Sequence, residues 1–164
     1  MLIRDAAAAD FPAVLALNAE SERFLSPMDA PRLEKLHRLA RYHRVVEIDS
    51  VIAAFLLAFR EGAAYDSPNY RWFAERYASF VYIDRVVVSA AERGKGLGVA
   101  LYRDVFAFAR RAGIGPVTCE FDVEPPNEAS RRFHARFGFR EVGRQWAYGK
   151  KQVSLQEADA CVVR

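Results

Sequence analysis

A chain of 164 residues, 52% hydrophobic and 13% aromatic, is long enough to bury one core and too apolar to stay disordered. Its 24 Lys and Arg against 21 Asp and Glu leave a net charge of +3 at pH 7, which suits an anionic ligand and falls short of arguing for a nucleic-acid partner. No run approaches the ~20 uninterrupted apolar residues of a membrane helix, and Met1 to Ala9 carries Arg4 and Asp5 where a signal peptide needs an apolar centre, so no membrane partner is expected and the expected compartment is the cytoplasm.

Leu2 to Arg4 reads as a short strand. Asp10 with Pro12 opens a helix whose apolar face begins at Val14, Leu15 and Leu17, and Asp29 with Pro31 repeats that start before Leu33, Leu36 and Leu39. Arg44 to Ile48 and Val51 to Phe59 are β-rich runs separated by Asp49-Ser50, a hairpin signal. Ala63 to Phe80 is aromatic and broken by Pro68, which suits a loop or a short helix, and Val81 to Val88 is the next strand. Leu97, Leu101, Val105, Phe108 and Ala112 then stripe a helix stopped by Gly113. A strand over Val117 to Val123, a helix over Glu128 to Phe137 stopped by Gly138, and strands over Phe139 to Ala147 and Gln152 to Gln156 complete the chain. Strands joined first by hairpins and later by helices imply a mixed α/β sheet. Cys119 and Cys161 are expected as free thiols, and His37, His43 and His134 are too scattered for a metal site.

The turn Arg93-Gly94-Lys95-Gly96-Leu97-Gly98, between that fourth strand and its helix, is the most informative feature of the sequence. A strand that ends in glycines and re-enters a helix presents backbone N–H groups and the positive end of a helix dipole, which a phosphate can satisfy together. The spacing is not that of a Walker loop, because Lys95 is followed by Gly96 and Leu97. It is not the dinucleotide fingerprint either, since counting from Gly96 or Gly94 places Leu101 or Val99 where the third glycine belongs.

The remaining pattern, R-x-x-G-x-G at Arg93, Gly96 and Gly98, resembles the acetyl-CoA pyrophosphate loop of the GNAT (Gcn5-related N-acetyltransferase) superfamily. The later segment from Asn127 through His134 to Gly138-Phe139, and the first strand and helix at Leu2 to Val14, are similar to the same family, so the resemblance spans most of the chain and is weakest from Ala63 to Ser79. It implies a single domain over 1–164 with a mostly antiparallel central sheet of six to seven strands and about four helices. It also implies acetyl-CoA as cosubstrate with no metal. Val86, Val87 and Val88 would offer backbone to the pantetheine arm, Arg93, Gly94, Lys95, Gly96, Leu97 and Gly98 would hold the pyrophosphate, and Asn127 would bond the pantetheine or its phosphate. From the residues alone the three valines are also core and Asn127 is also a helix N-cap.

Acetyl transfer to an amine needs a proton acceptor for the amine, a donor for the oxyanion and an acid for the leaving thiolate. The family usually places a Tyr seven residues past the Asn. This chain has His134 there, and phosphinothricin-type acetyltransferases resemble its Ser130-to-His134 pattern. The alternative for His134 is a structural ring between Phe133 and Phe137. Strand alternation puts Tyr82, Asp84, Val86 and Val88 on one face, which makes Asp84 the candidate base; it could equally attract a cationic amine or pair with a neighbouring Arg. The oxyanion donor would be the backbone N–H of Val87 or Val88. These features point to N-acetylation of a small amine or amino acid by direct attack, with protein N-terminal acetylation and a non-catalytic acyl-CoA sensor as alternatives. The aromatic residues Tyr65, Tyr70, Trp72, Phe73 and Tyr77 are open to covering the substrate, covering the core or forming a homodimer contact.

Overall fold

A computed structural model describes residues 1–23 and 25–162. In chain order the elements are β1 (Leu2–Asp5), α1 (Phe11–Glu20), α2 (Ala30–Leu39), β2 (Tyr42–Ile48), β3 (Val51–Arg60), α3 (Pro68–Ala74), β4 (Val81–Val88), α4 (Leu97–Arg111), β5 (Pro116–Glu124), α5 (Glu128–Arg136), β6 (Arg140–Ala147) and β7 (Lys151–Asp159). The strands form one seven-stranded sheet in the order β1-β2-β3-β4-β5-β7-β6. The β4/β5 ladder is parallel, while β1/β2, β2/β3, β5/β7 and β6/β7 are antiparallel, so the sheet is mixed and mostly antiparallel, as the sequence implied. Contacts divide the chain into two compact units, one of Met1–Phe59 with Ile83–Val105, the other of Arg60–Tyr82 with the chain from Phe106 onward.

In the first unit, β2 and β3 are joined at Asp49 and Ser50, whose φ angles of 49° and 66° are the left-handed pair that a tight hairpin turn requires. Ala53 to Phe59 are all buried, as expected for a strand covered on both faces. The Asp29 carboxylate accepts the Arg32 N–H at 2.9 Å and caps α2, as its position predicts. Asp10 behaves differently from the expected N-cap. Its own backbone is helical, and its carboxylate accepts the Ala7 N–H at 2.8 Å and two bonds from Arg4, because a single 3₁₀ turn over Ala8–Asp10 comes first. The Tyr42 hydroxyl donates to Asp104 of α4 at 2.6 Å, and Arg44 donates to both oxygens of the same carboxylate, so β2 holds α4 at Asp104, near its middle.

In the second unit the 63–80 segment contains a fifth helix, α3, capped by Ser67, whose hydroxyl accepts the Tyr70 N–H. The Tyr70 hydroxyl donates to the Arg60 carbonyl at 2.7 Å, and its ring lies 5.6 Å from those of Tyr65, Phe80 and Tyr82. Tyr65, Tyr70 and Phe73 are therefore core residues, which accounts for the aromatic content of a stretch the sequence left open. The expected stripe on α4 also shifts toward its end: Phe106 and Ala109 are buried in place of Phe108 and Ala112. β7 extends to Asp159, three residues beyond the expected end, because its ladder with β5 runs from Glu124↔Gln152 to Pro116↔Asp159.

Gly143 of β6 packs against Trp72 of α3, and a Cβ there would stand 2.6 Å from the indole Cζ2. Gly143→Ala must displace the ring, and by the usual cost of overpacking it lowers stability by ~1–3 kcal/mol. A urea titration followed by tryptophan fluorescence measures this, with a shifted emission maximum in the folded variant.

Candidate active site

The residues singled out in the sequence divide between the units. Asp84, Val86–Val88 and Arg93–Gly98 lie in the first, and Asn127 and His134 lie in the second. In the first unit β4 ends at Val88, and a 3₁₀ turn over Ala90–Glu92 leads into the glycine turn. Gly94 and Gly96 have φ of +80° and +88°, a region closed to most residues with a side chain, so the turn needs glycine for its backbone path. A Cβ at either position would meet nothing within 4 Å, so the outer face of the turn is open to an approaching group. The bond from Ala100 N–H to the Gly96 carbonyl, 2.9 Å, is the first of α4, which leaves the amides of Leu97, Gly98 and Val99 ahead of it at the positive end of a fifteen-residue helix. The Arg93 guanidinium donates back to the Val88 carbonyl at 3.3 Å, and exposed Lys95 pairs with Glu92 at 3.1 Å. Val87 is buried, whereas Val86 and Val88 are half-buried.

Asp84 and Arg85 form an ion pair at 2.7 Å, each side chain 6% exposed. The Arg85 guanidinium also donates to Asn18 Oδ1 at 2.9 Å and to the Ser26 carbonyl at 3.4 Å, and Asn18 donates to the same carbonyl. Arg85 thus ties β4 to α1 and to the connection that follows it. Pairing with a neighbouring Arg, one of the alternatives the sequence left open for Asp84, is present; that Arg85 also gathers Asn18 and the Ser26 carbonyl belongs to the packing.

In the second unit Asn127 is the N-cap of α5 and its side-chain oxygen accepts the Ser130 N–H at 3.2 Å. His134, on the same helix, is 6% exposed and packs against Phe121, Phe133 and Phe139 at ring distances of 5.6, 5.5 and 5.2 Å. Its Nδ1 lies 2.7 Å from the Ser130 carbonyl, an acceptor only, so Nδ1 carries hydrogen and in the neutral ring Nε2 carries the lone pair. Burial among these rings pushes the imidazole below its ordinary value, with the Ser130 carbonyl opposing. The sequence reading passed over Glu120 of β5, whose carboxylate accepts the buried Tyr82 hydroxyl at 2.7 Å. Thr118, Glu120 and Asp122 alternate with Val117, Cys119 and Phe121, and that polar face was the available signal. Among the described residues no group of three or more His, Cys, Asp or Glu could hold a metal ion, and no helix is long and apolar enough to cross a membrane.

The family model described as "Acetyltransferase (GNAT) family" matches residues 3–139. The chain belongs to that family. Among curated relatives, this GNAT chain is 42% identical over 71 residues to phosphinothricin N-acetyltransferase of Streptomyces coelicolor; the match covers 40% of this chain, which spans 37% of that relative's length. Its fold is similar to that of Ard1 from Thermoplasma volcanium, with a TM-score of 0.79 at 16% identity over 99% of this chain and 98% of that one. It is also similar to yncA of Salmonella typhimurium, a putative acetyltransferase solved with its cofactor acetyl-CoA, with a TM-score of 0.74 at 21% identity over 100% of this chain and 96% of that one.

Replacing Arg85 by Met would leave the Asp84 carboxylate buried beside an apolar chain. Removing one partner of a buried pair costs ~3–5 kcal/mol, and urea denaturation of Arg85→Met should show a loss of that size. A loss within ~0.5 kcal/mol, the usual range for a surface change, would contradict the buried network.

Proposed function

We propose that this protein is an acetyl-CoA-dependent N-acetyltransferase that acetylates the primary amine of a small molecule or amino acid by direct attack. The observation that carries the reading is the glycine turn at the start of α4 in a chain matching the GNAT family over residues 3–139. The likeness to phosphinothricin N-acetyltransferase supports a small amine as substrate. The residues present fit acetyl-CoA. The turn Arg93–Gly98 offers an open face with helix-start amides for a pyrophosphate, and Val86–Val88 offer strand backbone for an extended amide-bearing arm; the role of Asn127 is proposed from the sequence pattern alone. Acetyl-CoA, when bound, supplies the acetyl group on its thioester.

His134 enters neutral, since burial disfavours the imidazolium and Nδ1–H is committed to Ser130. Its Nε2 therefore takes the proton lost by the amine, and the same proton then passes to the departing thiolate, so one ring serves as base and acid in turn. Nδ1 bonded to a carbonyl holds the ring plane through both steps, and the backbone N–H of Val87 or Val88 is the donor for the oxyanion. Asp84, held by Arg85, is assigned to orienting β4 rather than to accepting the amine's proton.

Turnover is measured by thiol release from acetyl-CoA against small amines, amino acids including phosphinothricin, and a peptide with a free N-terminus. Amine-dependent release with a small molecule is expected. Release with the peptide alone would move the substrate to protein termini, and no release with any amine would overturn the enzyme reading. His134→Gln should lower kcat by ~10²-fold, the low end for general acid–base catalysis, with acetyl-CoA affinity retained. In the wild type, kcat/KM should rise with pH through an inflection below 6.5 as the His134 proton leaves, and this limb should vanish in His134→Gln. Asp84→Asn should keep the limb; its loss there would give Asp84 the base role instead.

A further inference from the structure

Outside the glycine turn and α5, the first unit contains a pair of histidines that acetyl transfer does not use. His37 lies in the last turn of α2 and His43 near the start of β2, with Nδ1 facing Nδ1 at 2.8 Å. At that distance one ring must donate N–H and the other must accept with a lone pair. Phe11 of α1 lies across both rings, 5.1 Å from His37 edge-on and 6.5 Å from His43 in a stack, and Phe55 of β3 closes the far side of His43 at 6.2 Å. His43 is 7% exposed, and its Nε2 is buried without a hydrogen-bond partner among the described residues.

Those facts select the tautomer. If His43 donated from Nε2 it would carry an N–H buried with no acceptor, whereas donation from Nδ1 leaves only a lone pair there, the milder deficit. His43 Nδ1–H therefore donates to His37 Nδ1. We propose that this bond is an acid-sensitive latch fastening the C-terminal turn of α2 to β2, and that added protons release it. A proton on His43 Nε2 makes a cation between Phe11 and Phe55 and leaves a buried N–H with no acceptor among the described residues, a cost that opening the α2 turn to water relieves.

The charged groups that face His43 are few. Asp10 approaches from the 3₁₀ turn before α1, with its carboxylate occupied by Arg4 and the Ala7 N–H, and Arg4 also binds Glu47. From α2 only His37 faces it, and from β3 the neighbours are Phe55 and the register partner Leu57. Burial first, then the His37 charge, lower His43 to about 4, and Asp10 opposes without restoring it. The sign follows: His43 is depressed from 6.5, so its contribution is complete above 6.5 and disappears as pH falls toward 4.

The test uses ¹⁵N-labelled full-length protein. At pH 7.5 a scalar coupling across the hydrogen bond should join the His37 and His43 Nδ1 nuclei, with the His43 ring showing the Nδ1–H tautomer. Between pH 7.5 and 5, amide exchange corrected for intrinsic rate should rise for residues 36–41 while the β3 amides stay protected, and His43→Leu should abolish that local rise. No coupling and an Nε2–H tautomer for His43 in the wild type would overturn the latch, with no variant required. An unchanged acid response in His43→Leu, or in His37→Asn should the first variant not fold, would overturn it equally.

Discussion

A helix must begin with amides that have no carbonyl behind them, and for α4 that constraint falls on an exposed glycine turn. The turn from Arg93 to Gly98 meets it with two glycines in the left-handed region and an open outer face, and the Leu97, Gly98 and Val99 amides stand ahead of the first hydrogen bond of α4. Much of the surrounding structure serves to keep that helix start in place. Tyr42 and Arg44 hold Asp104 two turns along α4, Ser89 N–H donates to the Ala53 carbonyl at 2.8 Å, and Ala90 N–H donates to Glu20 at 3.2 Å. The turn is thereby positioned by hydrogen bonds on both sides and by buried Leu97. The same principle of preorganised donors is what an anionic ligand would use.

The buried polar groups follow a second rule, that charge enters the interior only with partners. Arg85 enters with Asp84, Asn18 and a carbonyl; Asp10 enters with Arg4 and a backbone amide. His134 satisfies it differently, by giving one nitrogen to the Ser130 carbonyl and being kept neutral by the aromatic rings around it. A neutral, oriented imidazole is a better proton acceptor than donor at rest. In the proposed mechanism, His134 in place of the Tyr usual in the family would take up a proton before giving one.

Where local chemistry decided the outcome, the sequence was readable. The glycine turn, the Asp29 cap, the Asp49-Ser50 hairpin and the stops at Gly113 and Gly138 each depend on one or two residues, and all stand where the residue types put them. Strand and helix ends drifted by one to three residues where a ladder decided them, as β7 did by following β5 to Asp159. Asp10 misled because the same carboxylate that caps a helix can also serve a preceding 3₁₀ turn and an arginine. The aromatic 63–80 segment was illegible for a related reason. Tyr65, Tyr70 and Phe73 look alike whether they cover a ligand or a core, and only their contacts with Phe80 and Tyr82 decide. The Arg85–Asn18 bond, the Tyr82–Glu120 bond and the His37–His43 pair escaped because the partners lie far away in sequence or on another element, out of reach of any local pattern.

The central claim is that the turn at the start of α4 holds the pyrophosphate of acetyl-CoA. Calorimetric titration of the purified protein with acetyl-CoA, beside a matched titration with NADH, tests it most directly. Saturable one-to-one binding of acetyl-CoA with none of NADH is the predicted result. A folded sample that binds neither, or that binds NADH in preference, would contradict the account.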